Sequence, residues 1–327
     1  MKGLGKIAIG CMVVLAGCQQ AEEIKIESEE LPLSIEASIG ESHIMAGRYV
    51  GNEPNSVSFC ENDKIGLSVD GVNFDGWIYD GTSWKRIDGS VASWGDKVNF
   101  QTFRAFYPYN DEISEGTIIM PALSDQDGSM GRVAECDFLV ATKTDTYATS
   151  KGVVSFTGEN AFQHVSSLVK ITLRGEGSFA SAQVEKISLV GTGIVRTSTY
   201  SFVEPNVGVK LDNNEAGNLL DLPVSCNMDS KNHTFYCILN SGTVNLASVT
   251  MIIEYIEGDG QKYKAELKGL GDASTKFESG KQYNYTLKID DGILSIIGNS
   301  IEGWTDGTSM DVTINGVEQN NQTDENP

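Results

Sequence analysis

Apolar and polar residues alternate strictly in "LPLSIEASI", which puts Leu31, Leu33, Ile35, Ala37 and Ile39 on one face. A period of two is that of a strand with one buried side. Short runs of the same kind follow: "DKIGLSV", "GWIYDG", "SWKRI", "KVNFQTFRAFYPY", "TIIMPA", "DFLVA" and "GVVSF". Gly, Asn, Asp and Pro separate them, the punctuation of an antiparallel sandwich. In "AFQHVSSLVKITL" a helical turn is expected to precede a strand. Beyond it come "VEKISLVG", "GVKLD", "TFYCILN", "SVTMIIEYIEG", "KYKAELKG", "KQYNYTLKI" and "GILSII". In "KQYNYTLKI", Tyr283, Tyr285, Leu287 and Ile289 share one face. Asp63 and Gly66 bracket a strand entry, Pro108 ends a strand, and Trp304 is expected to plug one end of the second core. No segment carries a long 3.6-residue apolar period, so the chain is all-β. The last run, "SMDVTING" at 309–316, sets Met310, Val312 and Ile314 on one face. It is either an ordinary edge strand of its own domain or a donor that completes a neighbour's sheet.

A body of about 300 residues exceeds one comfortable core, which favours two domains. The least regular stretch between strand-rich halves is "FTGENAF". We therefore divide the body into an N-terminal sandwich at 31–158 and a C-terminal one at 159–316, with a boundary near Gly175 as the alternative. Residues 317–327 are polar and expected to be disordered.

The start of the chain has a different pattern. Lys2 and Lys6 precede the apolar run "IAIGCMVVLAG", which is too short to span a bilayer and reads as a secretory signal over residues 1–17. Leu15-Ala16-Gly17-Cys18 resembles the lipobox of bacterial lipoproteins, which implies Cys18 as the lipidated first residue. "QQAEE" resembles the export signal that sends Bacteroidota lipoproteins to the outer face of the outer membrane. Residues 18–30 are then an acidic tether. The 24 basic and 45 acidic residues give a net charge of −21. Removing Lys2 and Lys6 with the signal leaves 22 against 45, or −23. Such a surface repels phosphate backbones, so nucleic acid is not an expected partner.

Candidate chemistry is sparse. Cys226 and Cys237 flank a polar stretch that can turn a hairpin and bring the thiols together as a disulfide. The alternative is that Cys60, Cys136, Cys226 and Cys237 are all free and packed as small hydrophobes. With three histidines and no CxxC, no metal site or cofactor is expected. His164 lacks a marked nucleophile and reads as a packed, hydrogen-bonded residue. "DQDGS" from Asp125 is faintly like a calcium loop, but Cys136 occupies the place of its closing Glu, so a solvated loop is expected. Trp77, Trp84 and Trp94 lie close together. They either fill a sandwich core or line up as a sugar-stacking surface.

Several phrases in order resemble the fimbrillin family, the pilus subunits (type V) and related surface lipoproteins of Bacteroidota. They are "FCENDKIGL", "AFYPYN", "DFLVA", "FQHVSSLVKITL", "FESGKQYNYTLKI" and "IEGWTDG". The resemblance implies two tandem transthyretin-like β-sandwiches and a non-enzymatic, structural or adhesive subunit of a surface fimbria. It also implies an outer-membrane lipoprotein held by lipid on Cys18 whose partners are other subunits, joined by strand addition. In the family a protease cuts after an Arg between the first and second strands. Here Arg48, with Tyr49 as the new terminus, is the only Arg before Arg86. The loop around it is expected to be exposed, and Arg48 can equally be a solvated residue of an uncut anchor. The rival reading is a lipid-anchored glycan-binding protein of a polysaccharide-uptake system, with Trp77, Trp84 and Trp94 as contacts.

Overall fold

Turn residues fix where most strands begin. Asp63 Oδ2 accepts from the Cys60 amide at 2.7 Å, and Asn62 takes a left-handed φ of 74° just before the second strand. The computed structural model describes residues 31–40, 59–194, 197–212, 219–242, 244–304 and 309–310. The leader, Cys18, the tether, Arg48, Tyr49 and residues 311–327 lie outside the described residues.

The first half contributes β1 (Ser34–Ala37), β2 (Lys64–Ser68), β3 (Asp75–Tyr79), β4 (Trp84–Arg86), β5 (Gln101–Tyr107), β6 (Ile113–Ser114) and β7 (Thr117–Ile119). There follow α1 (Met130–Cys136), β8 (Leu139–Asp145), α2 (Tyr147–Ser150), β9 (Val153–Phe156) and β10 (Gln163–His164). Six of these strands form an antiparallel sheet in the order β10-β8-β5-β2-β3-β4. The parallel pair β1–β9 packs its apolar side chains into the same core as that sheet. Gly66 sits inside β2 rather than at its turn. A Cβ there would lie 2.2 Å from the Phe106 ring, so glycine makes room for an aromatic neighbour.

The second half contributes β11 (Ser166–Arg174), β12 (Gln183–Val190), β13 (Ser198–Ser201), β14 (Gly208–Leu211), β15 (Leu219–Leu222), β16 (Cys226–Asn227) and β17 (Asn232–Asn240). It continues with β18 (Thr250–Ile256), β19 (Lys262–Lys268), β20 (Lys281–Asp290), β21 (Ile293–Gly303) and β22 (Ser309–Met310). Two sheets, β17-β11-β20-β21-β22 and β15-β12-β18-β19, enclose a second core. Tyr283, Tyr285, Leu287 and Ile289 of β20 all point into it, as their alternation requires.

A fifth sheet, β14-β13-β7-β6, draws strands from both halves. Trp304 is fully buried, but not at the end of the second core alone. It packs among Met130 and Val133 of α1 and Leu168, Tyr236 and Ile238 from the second half. Gln126 completes this junction. Its side-chain amide bonds the Ile238 carbonyl at 3.0 Å and accepts the Ile238 amide at 2.6 Å, so it caps the outer edge of β17 as a strand would. The "DQDGS" segment is therefore an edge cover. Its Gly128 carbonyl takes the Tyr236 amide at 2.8 Å.

The expected Cys226–Cys237 hairpin does not form. β16 pairs with β12 and β17 with β11, so the polar stretch between them crosses from one sheet to the other. Both thiols are free, as are Cys60 and Cys136.

Candidate functional site

The most distinctive site is the slot that holds the first strand. Three separate segments grip residues 31–40. At the entry, Trp94 donates its amide to Leu31 at 2.8 Å and the Leu33 amide bonds Ala92 at 3.0 Å. In the middle, β1 runs parallel to β9 from Ser34↔Val153 to Ala37↔Phe156. At the exit, the Phe162 amide bonds Ser38 at 2.9 Å and the Gly40 amide bonds Phe162 at 2.7 Å. Gly40 has φ 63°, a left-handed turn out of the slot.

The alternating face is buried. Ile35 and Ile39 are inside, while Leu31, Leu33 and Ala37 pack half-buried on the same core. Burying Ile35 and Ile39 is worth about 3–6 kcal/mol together, an upper figure against a compact unfolded chain. Pro32, Ser34 and Glu36 face outward.

Gly152 makes the close approach possible. Its carbonyl takes the Ser34 amide at 2.9 Å and the Trp94 indole N–H at 3.1 Å. A Cβ at 152 would stand 2.5 Å from the Pro32 carbonyl oxygen, and its φ is 89°.

Both ends of the segment 41–58, which carries Arg48, meet at one residue. Gly40 bonds the Phe162 backbone, and Phe59 packs edge-on against the Phe162 ring at 5.1 Å. Phe59 is held independently by Trp84 at 5.1 Å and Tyr107 at 5.6 Å. The body from Phe59 onward thus has its own anchorage. Sequence reading found the alternating strand but not Trp94, Gly152 or Phe162, its wall. The one local signal that could have pointed there is the glycine that opens "GVVSF", since glycine is where backbones approach closely.

The remaining candidates resolve into packing. Trp77, Trp84 and Trp94 are buried, and Trp94 stacks edge-on with Phe103 at 4.6 Å. The antiparallel strands β3 and β4 turn Trp77 and Trp84 into the core, and Trp94 is held there by its bonds to Leu31 and Gly152, which leaves none of the three free to stack on a sugar. His164 is buried, 2.8 Å from Asp137 and stacked on Trp304 at 3.8 Å. Cys226 lies 3.3 Å from His233 Nδ1, and His233 Nε2 lies 3.0 Å from Asp229. The carboxylate only accepts, so Nε2 carries the hydrogen and Nδ1 takes the thiol's. Burial and the Asp229 charge push that thiol up, so it stays protonated and a poor nucleophile. Burial likewise pushes Cys136 to about 11 and Cys237 to about 12. Among the described residues no three His, Cys, Asp or Glu side chains are grouped to hold a metal.

A family model described as fimbrillin-like matches residues 51–304, from within the segment 41–58 to Trp304. Among solved structures, a candidate cell-adhesion protein from Bacteroides uniformis aligns with 15% identity and a TM-score of 0.57 over 84% of this chain and 99% of its own. One from Bacteroides ovatus aligns with 17% identity and a TM-score of 0.57 over 84% and 98%. These two show a shared fold. No curated protein matches the chain.

Proposed function

This chain belongs to the fimbrillin-like family, and from that membership we propose that it is an adhesive, non-enzymatic subunit of a cell-surface fimbria that joins other subunits by exchanging its first strand. Export as an outer-membrane lipoprotein through Cys18 is part of the same reading. The observation that carries it is the slot. One cut within residues 41–58 separates β1 from a body whose next anchor, Phe59, is held by Trp84 and Tyr107 without it. β1 then leaves its wall, and Val154, Phe156 and Trp94 lose their cover. Such a groove accepts an extended segment by strand addition.

The chain itself contains a segment of matching chemistry. "SMDVTIN" at 309–315 repeats "SIEASIG" at 34–40 position by position: Met310 for Ile35, Asp311 for Glu36, Val312 for Ala37, Thr313 for Ser38 and Ile314 for Ile39. Asn315 stands for Gly40, and Asn is the residue after Gly that best tolerates a left-handed φ. At home, Ser309 and Met310 pair with Glu302 and Ile301 on the edge of β21. The same segment, leaving that edge, is suited to a neighbour's vacated slot.

Limited trypsin treatment with N-terminal sequencing tests the reading. Tyr49 is the expected new terminus, and the released 31–48 segment should be displaced by a peptide of residues 306–317. If other sites are cut and Tyr49 never appears, strand exchange fails and an uncut surface-anchored subunit remains.

A further inference from the structure

We propose that the loop at the slot's mouth, through Val91, Val98 and Phe100, is the surface on which a second copy of this chain seats its body; the proposal rests on the strand-exchange reading. These three are by far the most exposed large apolar side chains among the described residues, at 84%, 76% and 76%, against 49% for the next, Ile119. They share one loop of ten residues, and its apolar groups are held out rather than left loose. Asp96 accepts the Val98 and Asn99 amides at 2.7 Å each, and the Lys97 carbonyl takes the Ala148 amide at 3.3 Å. A braced loop that displays apolar groups marks a contact surface rather than an incidental exposure.

The reach of the chain selects the occupant. An incoming "SMDVTIN" in the place of residues 34–40 runs parallel to β9, as β1 does, so its N-terminal end lies at the mouth. There residues 92–94 bond directly to 31–33. In the donor, Trp304 is buried in its own body, and the chain from Trp304 to Ser309 advances five residues, at most about 18 Å. The donor body must therefore lie against the mouth. The donor positions that fall at Leu31 and Leu33 are Asp306 and Thr308, which cannot replace that apolar cover. The body behind them has to supply it. A second copy thus binds through two parts, a strand in the slot and a face on the loop, with the short linker making the second contact local.

The test uses full-length chain cut after Arg48. A Val98→Ser/Phe100→Ser variant is compared with the parent and with Val207→Ser, a control exposed elsewhere. Labelled peptide 306–317 reports the slot by fluorescence anisotropy, and detergent-resistant ladders report whole-subunit assembly. The expected result is unchanged peptide affinity and melting temperature, with assembly slowed or weakened by about tenfold or more in the double variant only. Parental assembly by the double variant overturns the proposal, and so does an equal loss in Val207→Ser. A double variant that assembles normally but loses binding to phosphatidylethanolamine/phosphatidylglycerol vesicles assigns the loop to lipid and overturns it too. Failure of the peptide to bind the cut parent instead overturns the strand-exchange reading, and the inference with it.

Discussion

Gly152 shows how much one missing side chain decides. Its left-handed φ and the 2.5 Å approach of the Pro32 carbonyl both forbid a Cβ, and its own carbonyl holds two of the contacts that seat β1. Gly152→Ala is expected to lower stability by about 1–3 kcal/mol, from backbone strain and loss of the Ser34 and Trp94 bonds. Gly158 is the comparison. It also has a positive φ, 56°, but open space where the Cβ would go, so Gly158→Ala carries only the conformational cost. Paired thermal melts check this, and equal losses at the two sites would show that strand approach plays no part. The partner was not legible in the sequence, because what Gly152 accommodates is a carbonyl 120 positions away.

Elements were far more readable. Alternation found β1 and β20 with their buried faces, Asp63 marked the start of β2 and Pro108 the end of β5. Three features escaped. The helix α1 is seven residues long, too short for a helical period to register, and rests on the Ser129 cap and buried Met130 and Val133. The crossing between β16 and β17 looked like a hairpin because local turn chemistry does not say which sheet a strand will join. Gln126 mimics a strand with a side chain, which no periodicity reveals. β22 shows the same limit, since its short pairing on β21 and its likeness to β1 speak for different homes. Deleting residues 309–327 separates these. The expected outcome is a monomer with parental circular dichroism and cut slot but no ladders; an unfolded product would show that the strand belongs to its own sheet.

Taken whole, the molecule is tied together by sharing. The β7–β13 sheet and the Trp304 cluster draw on both halves, so the described residues from Leu31 onward form one compact unit. Its buried phenols set a limit at high pH. Burial raises Tyr255 and Tyr283 to about 12, and raises Tyr285 as well, whereas an unfolded tyrosine ionises near the ordinary value of about 10. Because the folded values are the higher ones, the unfolded chain loses protons first as pH rises. The stability these groups contribute is complete below pH 10 and is lost as pH climbs through about 12. Urea midpoints between pH 8 and 12 should stay level and then fall, and Tyr283→Phe should flatten that fall. A midpoint that already declines below pH 9 would point to other groups.

The three-part grip on residues 31–40 also has a mechanical meaning. Residues 31–40 are held over their whole length by bonds that run across the strand, and under the proposed strand exchange a donor strand would take the same seat with its body at the mouth. Tension along a fimbria would load those bonds sideways and all together, rather than peeling them one after another from an end. Rupture then requires the entire seat to slide at once, a high barrier that forced separation must cross in a single step. Under that proposal the joint would hold hardest in the direction in which an attached cell drags on it.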